Sequence, residues 1–212
     1  MVWTHGIEFV ALASQNTMAA LVHGRTFHAW AEIPVSTTRA VAKRQAVWTK
    51  PDLNPMFEKT QRLRWMLIDE GSTAAAEILA AVDDTMRQCI CRQGTYGRRP
   101  ADGSKRRFGG VNLLYFVDWW QLPPVKLTPC FDNPYKQHLS QVDRTLTMFW
   151  TKDRDSFNHF TELHQEMRCQ DRWLSELLRE CRKGCQQWEM YWLVHGLPTE
   201  NAGSWLPSAR SR

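Results

Sequence analysis

Two short apolar runs stand out along the chain, the second interrupted by Asn112, and each ends in polar groups. Trp65-Met66-Leu67-Ile68 is followed at once by Asp69, Glu70, Gly71 and Ser72. Residues 111–117, introduced by Gly109-Gly110, lead to Asp118, Gln121 and the pair Pro123-Pro124. A strand with one wet face alternates apolar and polar side chains, so four consecutive large apolar residues predict a central strand covered on both faces. Between the runs, residues 73–88 carry Ile78, Leu79, Val82 and Met86 at helical intervals, the spacing of a crossover helix packed on a sheet. The order strand, helix, strand predicts one largely parallel sheet with Asp69 and Asp118 near the same edge.

Elsewhere the pattern is shorter. Residues 9–14 read as a strand, Gln15-Asn16-Thr17 as a polar turn and residues 18–22 as a helical turn or two. Pro34, Pro51 and Pro55 punctuate a basic, polar stretch with one short helix expected over 38–48. Residues 146–150 read as a strand or a buried helix end. Residues 160–184 give the clearest helical spacing, interrupted near Gln170-Asp171 and ended by Gly184. The tail at 192–200 reads as irregular. The expected fold is α/β, a mostly parallel sheet flanked by helices, with a helical C-terminal part. Residues 1–130 are expected to hold the sheet and 131–212 its end and a following hinge.

Composition narrows the class. With 43% hydrophobic and 23% charged residues, the chain is that of a water-soluble protein with no apolar run long enough to span a bilayer, and no membrane partner is expected. The start Met1-Val2-Trp3-Thr4-His5-Gly6 lacks the basic and apolar regions of a secretion signal. Six cysteines include no C-x2-C pair, which favours a reduced intracellular protein over a disulfide framework or a zinc module built on Cys89, Cys91, Cys181 and Cys185. A net charge of +5 suits a polyanionic partner. Residues 92–107 concentrate that charge, with six basic residues, three glycines and one acid, and read as a mobile basic loop. Such a loop is either a phosphate-tracking arm or a solvated insertion.

The polar groups carry the chemistry. Carboxylates at the C-terminal end of a parallel strand sit where open α/β sheets bind ligands, although Asp69 and Ser72 also suit a helix N-cap. The wording D-x-x-Q-L-P-P-V, from Asp118 to Val125, about fifty residues beyond I-D-E-x-S, from Ile68 to Ser72, resembles the PIF-type (petite integration frequency) branch of superfamily 1 DNA helicases. The strings L-x-x-x-M-R-x-Q-D, around Arg168, and G-x-T-x-H, from Gly24 to His28, resemble the same family.

That resemblance implies a P-loop NTPase core of the RecA-like kind, with ATP and Mg²⁺ as cofactors and single-stranded DNA or DNA junctions as partners. Asp69 would hold the metal through water, and Glu70 would orient or deprotonate the attacking water. Asp118 would lie at the nucleotide, while Gln121 and Arg168 would read the γ-phosphate, the arginine through a permanent charge on forked donors. Arg25, Thr26 and His28 would meet phosphates of the DNA strand; Phe27 and Trp30 offer faces for bases, although an aromatic this close to a histidine is more often core. Two departures are visible: Val117 replaces the usual glycine before Asp118, and Thr73 stands where the family has Met. The phosphate loop G-x-x-x-x-G-K-[ST] does not occur in the 212 residues. The family places it upstream of the G-x-T-x-H segment, so it is expected before Met1 and the second motor domain beyond Arg212. The resemblance thus implies the middle of a 5′→3′ helicase, nuclear or mitochondrial in a eukaryote and inactive alone. The competing reading is a non-catalytic nucleic-acid-binding or scaffold remnant of that fold. Oligomeric state is left open.

Overall fold

The computed structural model describes residues 4–33, 54–90, 95–134, 141–152, 155–165, 167 and 171–185. The chain divides into two compact units, Met1–Phe160 and Thr161–Arg212.

The first unit is built on a four-stranded sheet ordered β2-β1-β3-β4, in which every pairing is parallel. Its elements in chain order are β1 (Phe9–Ala13), α1 (Asn16–Leu21), β2 (Arg25–Thr26), α2 (Phe27–Ala31), α3 (Asn54–Thr60), β3 (Trp65–Ile68), α4 (Ala76–Ile90), β4 (Asn112–Tyr115) and α5 (Gln141–Trp150). The register sets Val10 beside Met66 and Leu12 beside Ile68, then Met66 beside Leu113 and Ile68 beside Tyr115. Alternate residues of a strand share a face, so these side chains line one side of the sheet. They join Leu79, Val82 and Met86 of α4 in one core. The helix turns toward them the residues that recur at three- and four-residue steps, while Asp84, Arg87 and Gln88 lie outside. Burying a side chain such as Leu79 or Met86 fully contributes roughly 1.5–3 kcal/mol.

The parallel sheet and its crossover helix agree with the sequence pattern, and β3 is central as expected. Coverage of the second run differs from the expectation. Along β4, Asn112 and Leu114 are exposed while Leu113 and Tyr115 are half-buried, an alternation that belongs to a strand with one free face. Among the described residues β4 is an edge strand, which explains it. The strand is also shorter than the run, covering Asn112–Tyr115 of residues 111–117, and it follows a 3-10 turn at 107–110.

Other expectations shift with local packing. Residues 146–150 end a helix, α5, with Leu146 and Met148 buried. Among its described residues, the 160–184 segment is helical over α6 (Arg172–Lys183), in the second unit. Residues 161–165 are not helical, and Phe160, Leu163 and Met167 stay exposed. An amphipathic spacing forms a stable helix chiefly where its apolar face is buried, and here it is not. The expected helix at 38–48 and the 192–200 tail lie outside the described residues. Among the described residues, no helix is long and apolar enough to cross a membrane.

Candidate functional site

Because every strand runs the same way, all four deliver their C-terminal ends to one side of the sheet. Asp69 leaves β3 there, tied to the neighbouring strand by its N–H donating to the Leu12 carbonyl at 2.9 Å. Glu70 follows in the left-handed conformation, φ 52° and ψ 43°, which is costly for a residue with a Cβ. Its carbonyl accepts from the Thr73 N–H at 3.0 Å and the Thr73 hydroxyl at 2.8 Å. Gly71 is then held from the β4 side: its N–H donates to the Phe116 carbonyl at 2.9 Å, and its carbonyl accepts from the Tyr115 hydroxyl at 2.6 Å. Only glycine fits, since a Cβ at 71 would lie 2.5 Å from the Tyr115 ring.

The two exit loops meet through side chains as well. The Ser72 hydroxyl donates to Gln121 Oε1 at 3.1 Å. Ser72 is fully buried and does not cap the following helix, which begins four residues later. Its acceptor is poised by Asp118, whose carbonyl takes the Gln121 N–H at 3.1 Å and whose carboxylate takes the Trp120 N–H at 3.1 Å. Beneath this loop lie Tyr115, Phe149 and Phe157, with ring centroids 5.1–5.6 Å apart. Cys130 completes the support, bonded to the Tyr115 hydroxyl and to the Ala74 carbonyl. Burial pushes its thiol up to about 11, so it stays a neutral packing group.

At the opposite edge, Gly24 brings the chain against β1 so closely that a Cβ would sit 2.2 Å from the Ala11 carbonyl oxygen. Arg25 and Thr26 pair with Leu12 and Ala13 as β2, which puts them at the same end of the sheet as Asp69. The Thr26 hydroxyl caps α2 by accepting from the Ala29 N–H at 3.2 Å. Arg25 is exposed and His28 half-buried, and burial draws the His28 imidazole below its ordinary value. Phe27 and Trp30 are core residues and present no face for a base. Their spacing in the helix turns both inward, which the aromatic content alone does not reveal. Ser14, just past β1, has a buried hydroxyl with no hydrogen-bond partner among the described residues.

The structure therefore brings together Asp69, Glu70, Asp118 and Gln121, and sets Arg25, Thr26 and His28 along the same side. Arg168 lies outside the described residues. The contributions of Tyr115 and Cys130 were not visible in the sequence, where both look like ordinary core residues. For a magnesium nucleotide the donor set fits in part: a carboxylate pair at a strand end and an amide with free N–H donors suit a metal-bound phosphate. Among the described residues no three His, Cys, Asp or Glu side chains cluster as a metal cage. A single carboxylate acting with phosphate oxygens is the magnesium arrangement these residues permit.

A parallel α/β sheet with acids and an amide gathered at its C-terminal edge is the arrangement at which open α/β sheets bind ligands. The PIF1-like helicase family model matches residues 4–184, and the chain belongs to that family. It is 29% identical over 181 residues to the ATP-dependent DNA helicase PIF1 of Mus musculus, covering 82% of this chain and 24% of that protein. The Homo sapiens protein of the same name is 28% identical over 170 residues, 76% of this chain and 24% of its own length. The chain thus spans about a quarter of the curated relatives it matches. In fold it is similar to the Pif1 helicase from Bacteroides in complex with ADP-AlF3 and ssDNA, with a TM-score of 0.60 at 19% identity over 94% of this chain and 42% of that one. Pif1 helicase from Candida albicans gives 0.57 at 19%, over 86% and 35%. These likenesses establish the RecA-like sheet expected from the resemblance.

Proposed function

We propose that the chain is the central part of an ATP-dependent 5′→3′ DNA helicase motor, which couples ATP hydrolysis to movement along and separation of DNA strands. The observation that carries this reading is the Ser72–Gln121 hydrogen bond, which joins the acidic loop after β3 to the amide-bearing loop after β4. With its oxygen engaged, the Gln121 amide has N–H donors left for a γ-phosphate oxygen. Asp69 would hold Mg²⁺, Asp118 would lie beside the nucleotide, Glu70 would orient or deprotonate the attacking water, and Arg168 would add a positive charge at the γ-phosphate. ATP with Mg²⁺ supplies the phosphoryl chemistry. Arg25, Thr26 and His28 bind the DNA strand through its phosphates.

No G-x-x-x-x-G-K-[ST] loop occurs in these 212 residues, which favours a second reading in which the chain by itself is a non-catalytic nucleic-acid binder. Steady-state ATPase of the pure chain with and without single-stranded DNA separates the two. The expected outcome is negligible turnover alone, and turnover once the chain is joined to a phosphate loop and a second motor domain. Robust DNA-stimulated hydrolysis by the 212 residues alone would overturn the inactive-fragment part. An extended chain that never turns over ATP would leave only the binder.

A further inference from the structure

The basic stretch before β4 is a folded element, contrary to the mobile loop its composition suggests. After a 3-10 turn at Thr95–Gly97, Arg98 and Lys105 pair as an antiparallel bridge. The Arg99 N–H donates to the Ser104 carbonyl and the Gly103 N–H to the Arg99 carbonyl, both at 2.9 Å. The one acid, Asp102, turns back onto the loop, accepting from the Ser104 N–H at 2.9 Å and the Ser104 hydroxyl at 2.7 Å.

The cations of this hairpin divide by task. Arg99 pairs with Asp155, and Arg107 lies 3.6 Å from the buried Asp83 carboxylate, so these two anchor the element. Arg98, Lys105 and Arg106 are exposed and form no ion pair with a described residue; Arg98 donates to the Gly103 carbonyl at 3.0 Å and Arg106 to the Tyr96 carbonyl at 3.2 Å, neutral acceptors that leave both charges uncompensated. Arg98 and Lys105 stand directly across from each other, where like charges destabilise a strand pair. Folding gains nothing from that juxtaposition. Position matters as much as charge: the hairpin enters β4 at its N-terminal end, whereas Gln121 lies beyond its C-terminal end. A four-residue strand, about 13 Å long, separates the two, so these cations do not serve the nucleotide.

We propose that Arg98, Lys105 and Arg106 form a second nucleic-acid contact, on the pole of the sheet opposite the nucleotide end, which grips the phosphate backbone without reading sequence. The proposal rests on the DNA-binding part of the function above. The hairpin presents no stacking platform, because Tyr96 is half-buried with the Arg64 guanidinium 4.9 Å over its ring. Contact is therefore through phosphates, and paired and unpaired DNA are both ligands. Among the described residues no exposed large apolar side chain lies next to the three cations in sequence, and Phe108 is buried, which removes the feature a membrane-surface element needs.

The test uses the full 212-residue chain and a fluorescent oligonucleotide, single-stranded or duplex, titrated at several salt concentrations. Neutralising the hairpin as R98Q/K105Q/R106Q should reduce the slope of log affinity against log salt by about 2 to 3, since each phosphate contact contributes about 0.9 on duplex and 0.7 on a single strand. The charge-conserving R98K/R106K should keep the slope, and R179Q/R182Q/K183Q, on α6, should leave it unchanged. All three variants alter only exposed or helix-surface positions, and matching thermal melts check that each folds. If the parent binds DNA and the hairpin variant has the parent's slope, or the α6 variant loses as much, this proposal falls while the DNA-binding reading stands. If the parent itself binds no DNA at low salt, both fall. Loss of binding to phosphatidylserine vesicles with DNA binding intact would reassign the hairpin to membranes and overturn the proposal.

Discussion

The Ser72 hydroxyl and the Gln121 amide oxygen, 49 residues apart in sequence, meet at 3.1 Å across the exits of two neighbouring strands. The contact fixes which end of the Gln121 amide faces inward. Ser72→Ala removes a buried hydrogen bond worth about 1 kcal/mol, a modest loss of stability by denaturant titration. In a motor with its phosphate loop attached, the freed amide should cost more in turnover than in stability. A misplaced reacting group commonly costs up to roughly 100-fold in rate. A Ser72→Ala motor with unchanged kcat would show that the amide is positioned by something else.

Gly71 tests the geometry from the other side. An alanine there forces a methyl group to 2.5 Å from a ring that Phe149 and Phe157 hold in place. Overpacking of this kind typically costs 1–3 kcal/mol, about the upper end being expected here because two exit loops must part. Tyr115→Phe keeps the ring and loses the hydroxyl that bonds the Gly71 carbonyl and meets Cys130 Sγ, so it should cost about 1 kcal/mol. Thermal or urea unfolding of the two variants ranks them. The reverse order would mean that the hydroxyl, not the close approach, holds the turn.

The parts of this molecule that were legible in sequence are those set by repeating patterns. Trp65-Met66-Leu67-Ile68 announced a central strand because an unbroken apolar run needs cover on both faces, and α4 announced itself through Leu79, Val82 and Met86. Edge position left no such mark on β4: Leu114 and Phe116 are as apolar as their buried counterparts, and only the missing neighbour among the described residues exposes them. The site divides in the same way. Asp69, Glu70 and Gln121 were visible as carboxylates and an amide after apolar strands. Tyr115 and Cys130 were invisible, because a long-range hydrogen bond has no sequence period. Phe27 and Trp30 were ambiguous, since an aromatic near a histidine reads alike whether it faces a base or the core, and burial decides for the core.

Asp83 carries a stability prediction with a sign. It is 1% exposed, accepts from the Phe108 N–H at 2.6 Å and faces Arg87 at 3.2 Å and Arg107 at 3.6 Å. Burial raises its pKa, with the two arginines and the Phe108 N–H opposing. The native state therefore holds the proton more tightly than the unfolded chain. Stability contributed by this group falls as pH rises from the ordinary carboxylate value through the raised one, then levels off. Asp83→Asn should remove that slope, so the wild-type advantage over it shrinks across the window. Asp83→Ala leaves the buried Phe108 N–H without its acceptor and removes the carboxylate that Arg87 and Arg107 face, and should cost about 2–4 kcal/mol. Urea titrations at several pH values measure both. A wild-type advantage that grows with pH would contradict the assignment.

The final prediction separates hydrolysis from DNA binding in a motor that carries this segment with a phosphate loop and second domain. Glu70→Gln keeps the shape of the side chain and removes the base, so turnover should fall by about 10²–10⁴ while DNA affinity stays within twofold, roughly the scatter of non-interacting sites. His28→Ala should do the opposite. Because burial keeps the imidazole below its ordinary value, His28 is a neutral donor at pH 7, and its contact to a phosphate is a hydrogen bond without a charge. The loss should be severalfold in affinity, about 1 kcal/mol, with the salt slope unchanged, since no counterion release depends on it. Affinity of the parent should also be flat from pH 7 to 8. Basal ATPase should persist, and only its stimulation by DNA should weaken. The hairpin variant differs from His28→Ala in lowering the slope itself, so one salt series distinguishes the two contacts. Parent-like DNA binding by His28→Ala would make the G-x-T-x-H segment packing alone: Gly24 for its approach to Ala11, Thr26 for its cap on α2, and His28 for neither strand nor phosphate.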